Sequence, residues 1–328
     1  MAGTAEVTDF RHAADRRLLP DRRHFLLIQG PFGPFFRRLA TALEAHGATV
    51  TKIHLNGCDV WDWGLRPGAV RYTGTPEGWS AWIAATLASR GVTDLVVYGD
   101  CQAYHRAAIE MARRSGVRVH VFEQGYLRPH WITLEEEGVN AYSRLPRDPA
   151  FFLAAPDAPA PAIAPTGNVT RAAVAKTIAA NLALYAFSGL FPGYRNPYFC
   201  APARQAVGHT RRYFRTRVGR RWRDARIAAL IEESRPFYLA LMQRPGDSQL
   251  TCHSDYHAAD DFAEACIASF ARHAPPNTRL VFKCHPLDPG LHDHVAMLDS
   301  LARKHDVTGR VIFVDGGVLA DMLRKTNG

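Results

Sequence analysis

The strongest constraint in this chain is a rhythm: a short apolar run, a turn built from glycine or proline, then residues with apolar side chains three and four apart. His24–Gln29 (HFLLIQ) is such a run. Gly30-Pro31-Phe32-Gly33-Pro34 turns the chain, helical spacing follows from Phe35 to His46, and Gly47 stops it before a second run at Ala48–Leu55. Short apolar runs bounded by turn residues read as buried strands, and strand, helix, strand is a βαβ unit. The rhythm returns at Thr93–Tyr98, a helix through Arg114, and Val117–Phe122. It returns again at Pro236–Met242, Ala258–Arg272, Arg279–Lys283, Leu291–His305, Arg310–Asp315 and a last helix from near Gly317. A chain that alternates in this way builds parallel sheets covered by helices. The expected fold class is α/β with two Rossmann-like domains. There is no close internal repeat, only the same architecture used twice.

Between the two halves the composition shifts. Pro156, Pro159, Pro161 and Pro165 alternate with alanines across Ala154–Thr166, as a stiff linker would. Three regions follow: an N-terminal Rossmann-like domain at 1–153, a Pro/Ala linker with a basic helical crossing at 154–226, and a C-terminal Rossmann-like domain at 227–328. Within the middle region, Arg171–Phe187 is Ala-rich and helical. Lys176 and Asn181 interrupt it, and it falls short of the ~20 apolar residues of a membrane span. A buried interdomain helix is the expectation. The chain stops at Thr326-Asn327-Gly328, where a further strand is due, so the C-terminal domain reads as truncated.

Composition narrows the class. Apolar residues make up 47% of the 328, enough for packed cores throughout and against disorder. A formal charge of +9 asks for an acidic partner: nucleic acid, an anionic membrane surface or a charged small substrate. The six cysteines form no C-x-x-C pair and read as reduced thiols of a cytosolic protein. Met1–Arg23 is polar, with no apolar segment behind it, so no secretory signal is expected. The phosphate-binding signatures G-x-x-x-x-G-K-[ST] and G-x-G-x-x-G are missing from the sequence.

Open α/β sheets bind ligands at the carboxyl ends of their strands. Polar residues stand there at Gln29-Gly30-Pro31, Gly99-Asp100-Cys101, Glu123-Gln124-Gly125, Gln243-Arg244-Pro245-Gly246-Asp247 and Lys283-Cys284-His285-Pro286. Glu123 suits a general base taking a proton from a hydroxyl, or a loop carboxylate capping Arg128 or a turn. Asp100 reads equally as an N-cap of the following helix or a hydrogen-bond partner of an acceptor hydroxyl. His285, fixed by Pro286, can offer an N–H to a phosphate oxygen; the plain alternative is a histidine satisfied by the core. His253-x-x-x-His257 with Asp255 has the spacing of metal ligands on a helix face. The segment reads instead as a helix entry, and no metal is expected. Arg204–Arg226 holds nine arginines with Tyr213, Phe214 and Trp222 among them. A basic helix face with aromatic anchors suits an anionic membrane surface. A solvated helix or a nucleic-acid patch are the alternatives, and no nucleic-acid motif accompanies the run.

Taken together, several strings resemble a known family. They are Gln29–Phe36 (QGPFGPFF), Tyr98–Cys101 with Tyr104-His105-Arg106, Phe122–Pro129 (FEQGYLRP), Gly189–Arg195 (GLFPGYR), Asp247-Ser248-Gln249 and His285–Asp288 (HPLD). The chain resembles, from about His24 to its end, the capsule polysaccharide biosynthesis and export proteins of Gram-negative bacteria. Members of this size look like single-domain β-Kdo transferases that prime the lipid end of capsule chains, Kdo being an eight-carbon acidic sugar. The resemblance implies GT-B architecture and an inverting, metal-independent transfer from CMP-Kdo, with no cofactor. It implies Glu123 as the base, with Gly125 as the glycine of its motif, and His285 with Pro286 at the CMP phosphate; Asp100, from its place after a strand, is the next catalytic candidate. Gln243, Asp247 and Lys283 would complete the donor side, and Gln29, Gly30 and Arg128 the acceptor side. The implied acceptor is phosphatidylglycerol or its lyso form. A cytoplasmic protein would meet it peripherally at the inner membrane, through Arg211, Arg212, Arg215, Arg220 and Arg221. Other capsule assembly proteins are further partners to consider; nucleic acid is not expected. The sequence departs from the family pattern at Gln124, where a second acid is expected, at His130 for aspartate, and at Cys284 for histidine. The family pattern also continues past residue 328 with a Ser/Thr-containing phosphate-cradling stretch. The alternative function is a non-enzymatic export or assembly factor that binds sugar or lipid.

Overall fold

A computed structural model of the chain describes residues 23–125, 131–154, 171–196, 201–233 and 235–328. They form two compact units, Met1–Arg195 and Asn196–Gly328.

The first unit contains β1 (His24–Leu27), α1 (Phe35–Ala45), β2 (Thr49–His54), α2 (Gly57–Trp63), β3 (Ala69–Arg71), α3 (Pro76–Ser89), β4 (Asp94–Tyr98), α4 (Ala103–Arg114), β5 (Arg118–Gln124), β6 (Ile132–Glu136), α5 (Pro149–Leu153) and α6 (Arg171–Ala186). Its strands lie in the order β3-β2-β1-β4-β5-β6. All neighbours are parallel except β6, which runs against β5 with Glu123 opposite Thr133. After β1 the chain builds outward to one side, then returns to the other with β4. That reversal opens a crevice beyond the carboxyl ends of β1 and β4, where such sheets bind ligands.

The strands are apolar on both faces because both faces are covered. Leu26, Ile28, Ile53, Leu95, Val97, Val119 and Val121 pack with Ile83 and Leu87 of α3 and Ala108 and Ile109 of α4. Phe25, Leu27, Val50, Val96 and Phe122 pack on the other side with Phe36, Ala40 and Trp63. At the amino ends of the strands, buried Asp94 accepts from Arg23 Nε at 2.9 Å, from Thr93 Oγ1 at 2.6 Å, and pairs with His120 Nε2 at 2.8 Å.

The second unit contains α7 (Pro202–Val218), α8 (Arg220–Glu232), β7 (Phe237–Leu241), α9 (Ser248–Thr251), α10 (Ala259–His273), β8 (Arg279–Lys283), α11 (His294–Lys304), β9 (Val311–Val314) and α12 (Leu319–Leu323). Its sheet is β7-β8-β9, all parallel. Ile267, Phe270, Leu298 and Ala302 of α10 and α11 cover one face, over Leu280 and Phe282. Ile227, Leu230 and Met322 cover the other, over Val281 and Val314. The Asn327 N–H and the Gly328 carbonyl hydrogen-bond to the outer edge of β7.

The α/β class and the principal strands agree with the sequence reading. The middle region does not form a unit of its own: α6 belongs to the first unit, α7 and α8 to the second. Residues 155–166 of the expected linker lie outside the described residues. Nor is α6 a buried helix. Ala180 and Ala183 face inward, while Ile178, Leu182 and Tyr185 are exposed. Its inner face meets α2 at backbone distance. A Cβ on Gly57 would stand 2.9 Å from the Ala183 carbonyl carbon and closer still to its oxygen, and Cys58 Sγ donates to Ala180 O at 2.8 Å. Elements α2, β3, α3 and β6 carry no clear period. In α3 the indoles of Trp79 and Trp82 stack on each other, with Trp79 wholly buried, while exposed Ile132 and Leu134 on β6 give an edge strand without an apolar inner row.

Candidate functional site

In the first unit the polar residues at the switch point are built from four strand ends. Glu123 lies one residue before the end of β5, and its Oε1 accepts the Gln124 N–H at 2.8 Å. Side chains alternate along a strand, so Glu123 and Gln124 point to opposite faces and only one can serve a given site. Glu123 shares its face with Val119 and Val121, which lie in the cluster with α3 and α4. Its Oε2 would be 3.8 Å from a Cβ at Gly99. Gly99 has φ +74°, a conformation that glycine tolerates, and so lets the turn after β4 lie beside the carboxylate. That turn is fixed from below. His105 of α4 donates from Nδ1 to the Gly99 carbonyl at 2.9 Å, which leaves Nε2 as an acceptor.

Asp100 is buried. Its Oδ2 accepts the Val139 N–H at 2.9 Å and its Oδ1 faces Cys101 Sγ at 3.3 Å. A carboxylate so engaged ties the turn after β4 to Val139. It does not cap α4, whose N-cap is Gln102. Gln29 follows β1 and is buried, with Oε1 taking no hydrogen bond among the described residues. Gly30 is pressed against the Phe36 ring, 2.8 Å from where a Cβ would sit. Arg128, with His130, lies outside the described residues.

Sequence reasoning passed over the polar residues around Lys52. Its ammonium, inside the sheet, donates to Asp59 Oδ1 at 2.6 Å, Ile53 O at 2.7 Å and Ile28 O at 3.0 Å. Asp59 Oδ2 accepts the Leu55 N–H, and Asn56 caps α2 through the N–H groups of Cys58 and Asp59. Burial pulls the Lys52 ammonium below its ordinary pKa, against the pull of Asp59. Burial also pulls His54 and His105 down to about 4, so both rings are neutral near pH 7. The Nε2 atoms of both are buried without a partner among the described residues. The available signal was a lysine and a histidine within a run (TVTKIH) that has to lie inside the sheet.

In the second unit the loop after β8 carries the His-Pro pair. His285 Nδ1 accepts the Leu287 N–H at 3.0 Å, so the neutral ring carries its proton on Nε2, the donor a phosphate oxygen needs. Asp288 is buried: its Oδ2 pairs with His294 Nε2 at 2.9 Å and its Oδ1 accepts the Gly290 N–H at 2.6 Å. Burial works against its charge, but His294 and that N–H hold the carboxyl below its usual range. Lys283, at the end of β8, is buried, and burial lowers its ammonium, with Asp315 and Cys284 acting the other way. Gln243 follows β7 and lines a cavity of about 800 Å³ with Tyr256, Phe262 and Phe270. Asp247 is the N-cap of α9, its Oδ1 accepting the Gln249 N–H at 3.0 Å, so that oxygen serves the fold rather than a ligand.

Arg212 overturns its expected place on a membrane-facing surface. Its side chain is only 11% exposed. Nε and Nη2 pair with both oxygens of Asp315 at the end of β9. Nη1 donates to Pro286 O at 3.1 Å and to Asp288 O, and Nη2 to His285 O at 3.3 Å. Cys284, Asp288 and His294 offer metal-ligand atoms within 4.8 Å of one another. A cation there would stand beside this guanidinium, 3.6 Å from Cys284 Sγ, and burial pushes the thiol up to about 12. His253–His257 forms a turn before α10, so its spacing does not bring the two rings onto one helix face.

Arg211, Arg215, Arg220 and Arg221 are exposed, with Arg215 and Arg220 at 62% and 67%. Val207, Phe214 and Val218 form an exposed apolar stripe along α7, Val218 at 92%, and Trp222 and Tyr213 are exposed beside it. Next to these, Arg217, Arg220 and Arg223 rim a groove of about 610 Å³ with an apolar floor of Ile227, Ala228 and Ile231. No described helix is long and apolar enough to cross a membrane.

Comparison with known proteins bears on both units. Residues 93–328 match the model of the capsule polysaccharide biosynthesis protein family. The capsule polysaccharide export protein KpsS of Escherichia coli is 32% identical over 92% of this chain and 78% of its own length. The capsule polysaccharide modification protein LipB of Neisseria meningitidis serogroup A is 31% identical over 95% of this chain and 76% of its own. Among solved structures, the glycosyltransferase of Rickettsia africae is 9% identical over 93% of this chain and 72% of that one, with a TM-score of 0.30. The UDP-GlcNAc 2-epimerase of Methanocaldococcus jannaschii is 12% identical over 92% and 75%, with a TM-score of 0.27. On the family match and the two curated relatives, the chain belongs to the capsule polysaccharide biosynthesis protein family.

Proposed function

We propose that the protein is a glycosyltransferase of GT-B type that moves Kdo from CMP-Kdo to a hydroxyl of a phosphatidylglycerol-type lipid during capsule biosynthesis. The observation that carries the reading is the placement of Glu123, a carboxylate at the carboxyl end of β5 with its Oε2 beside Gly99. Glu123 takes the proton of the acceptor hydroxyl as its oxygen attacks the anomeric carbon of Kdo. His285 Nε2–H donates to the phosphate that leaves with CMP, stabilising charge as it develops. Gln29 Oε1, with the Nε2 acceptor of His105, suits hydroxyl donors such as those of a glycerol head group. The exposed arginines of α7 and α8, flanking Val207, Phe214 and Val218, suit an anionic leaflet. The protein thereby works from the cytoplasmic side, bound peripherally. The donor substrate and these residues supply the chemistry, with no metal or cofactor assigned to it.

The test is incubation with CMP-Kdo and a fluorescent phosphatidylglycerol analogue, following CMP release, product mass and anomeric configuration. Glu123→Gln should lower transfer by roughly a hundredfold or more while CMP binding persists. Normal turnover in that variant would remove Glu123 from the mechanism. Direct displacement inverts the anomeric centre, and a retained configuration would replace it with a two-step transfer. Binding of sugar or lipid without any CMP release would favour the export-factor reading, which the similarity to the capsule polysaccharide export protein KpsS also suggests.

A further inference from the structure

The donor loop of the second unit is held by a side chain from outside its own βαβ unit. Three carbonyls of the loop, those of His285, Pro286 and Asp288, converge on the guanidinium of Arg212, and the carboxylate of Asp315 closes the other side of the fork. Three carbonyl dipoles aimed at one point repel one another unless a donor stands between them, and a charged donor makes the stronger bonds. Burial opposes the charge on Arg212, but Asp315 holds its pKa above the ordinary value. The guanidinium therefore stays charged inside the unit.

Two glycines clear its path. A Cβ on Gly208, one turn earlier in α7, would lie 2.5 Å from Pro289 O and 2.9 Å from Leu291 Cδ2. A Cβ on Gly290, at φ +66°, would lie 3.2 Å from the Cβ of Arg212. The helix thus lies directly on the loop, and the arginine enters between them. We infer that Arg212 is the positioning residue of the donor site: it shapes the Cys284–Asp288 loop so that His285 presents its N–H to the phosphate of the nucleotide. This rests on the reading of His285 as the phosphate contact. A planar fork that meets a carboxylate and several carbonyls at once is a property of arginine, and the ammonium of lysine cannot reproduce it. Arg212 itself does not touch the donor; it acts through the loop.

CMP affinity, measured by calorimetry on the whole chain, tests this. Arg212→Gln and Arg212→Lys should each weaken CMP binding roughly ten- to hundredfold, the scale of losing charge-assisted hydrogen bonds. Arg204→Gln, an exposed charge on the same helix, should leave it unchanged. Arg212→Ala should regain part of its affinity in millimolar guanidinium and none in urea or sodium chloride. Nitrogen NMR of His285 should show Nδ1 as the acceptor in the parent and a mixed tautomer in Arg212→Gln, a signature that general loss of stability does not produce. If Arg212→Gln fails to fold, Gly208→Ala keeps the guanidinium but lifts α7, and it should lose CMP affinity too. CMP binding at parent strength in Arg212→Lys, or no guanidinium rescue, overturns the inference while the donor site stands. Failure of the parent chain to bind CMP at all sinks both the donor site and this role.

Discussion

Replacing Arg211, Arg215, Arg220 and Arg221 together by glutamine removes four of the exposed charges of α7 and α8 without touching the largely covered Arg212. The structure sets the expected size. An arginine near an anionic leaflet contributes about 1 kcal/mol. Arg220 already has Asp224 at 3.4 Å, and Arg215 lies 4.0 Å from Asp315. Discounting those two in part leaves about 3 kcal/mol, or roughly a hundredfold in partitioning onto vesicles. Val207, Phe214, Val218 and Trp222 remain and should support weak residual binding. Sedimentation with vesicles of phosphatidylglycerol and phosphatidylcholine measures it, beside vesicles of phosphatidylcholine alone. The parent should bind the anionic vesicles, lose them at high salt and ignore the neutral ones, since screening shortens the reach of exposed charge. The variant should need far more anionic lipid, yet bind CMP as the parent does. Undiminished vesicle binding would mean that the basic face is merely solvated.

The remaining expectations concern stability. Gly57→Ala should lower the urea midpoint by the equivalent of about 1–3 kcal/mol, because the new methyl meets the backbone of α6 rather than a movable side chain; an unchanged midpoint would mean that the α2–α6 contact is loose in solution. His54 and His105, with folded pKa values of about 4, refuse protons that an unfolded histidine accepts near 6.5. Stability should therefore fall as the pH drops from about 6.5 to about 4, by up to ~3 kcal/mol for each ring. Burial raises Asp62 to about 6, so its carboxyl takes a proton in the folded state and offsets part of that loss below about pH 6. Urea titrations at about pH 7.5 and about pH 5 should differ accordingly, and equal midpoints would contradict the burial of the two rings.

Much of this was legible in the sequence because a parallel sheet writes itself as apolar runs ended by polar residues. The runs at His24, Thr93, Pro236 and Arg279 each became strands within a residue or two of their expected limits. Glu123 and His285 were legible for the same reason: each follows such a run. What the string could not reveal was direction. Arg211 and Arg212 are neighbours in sequence, but on a helix they point about 100° apart, so one faces solvent and the other the loop after β8. Asp100 and Asp247 have the residue type of ligands, and what the string could not show is that one oxygen of each also accepts a backbone N–H, from Val139 and Gln249, a pairing set by folding. Lys52 escaped notice because its partner, Asp59, lies in a helix with no apolar period to announce it.

The antiparallel strand β6 has a consequence for behaviour at high concentration. A sheet left with a long, flat, parallel edge offers its free amides and carbonyls as a template for another chain. Here one rim is β3, only three residues long, and the other is β6, which carries Glu135 and Glu136 beside the exposed Ile132 and Leu134. Two carboxylates so placed make a second copy of the same edge repel the first. The acids on this rim therefore act as gatekeepers against fibrous self-association.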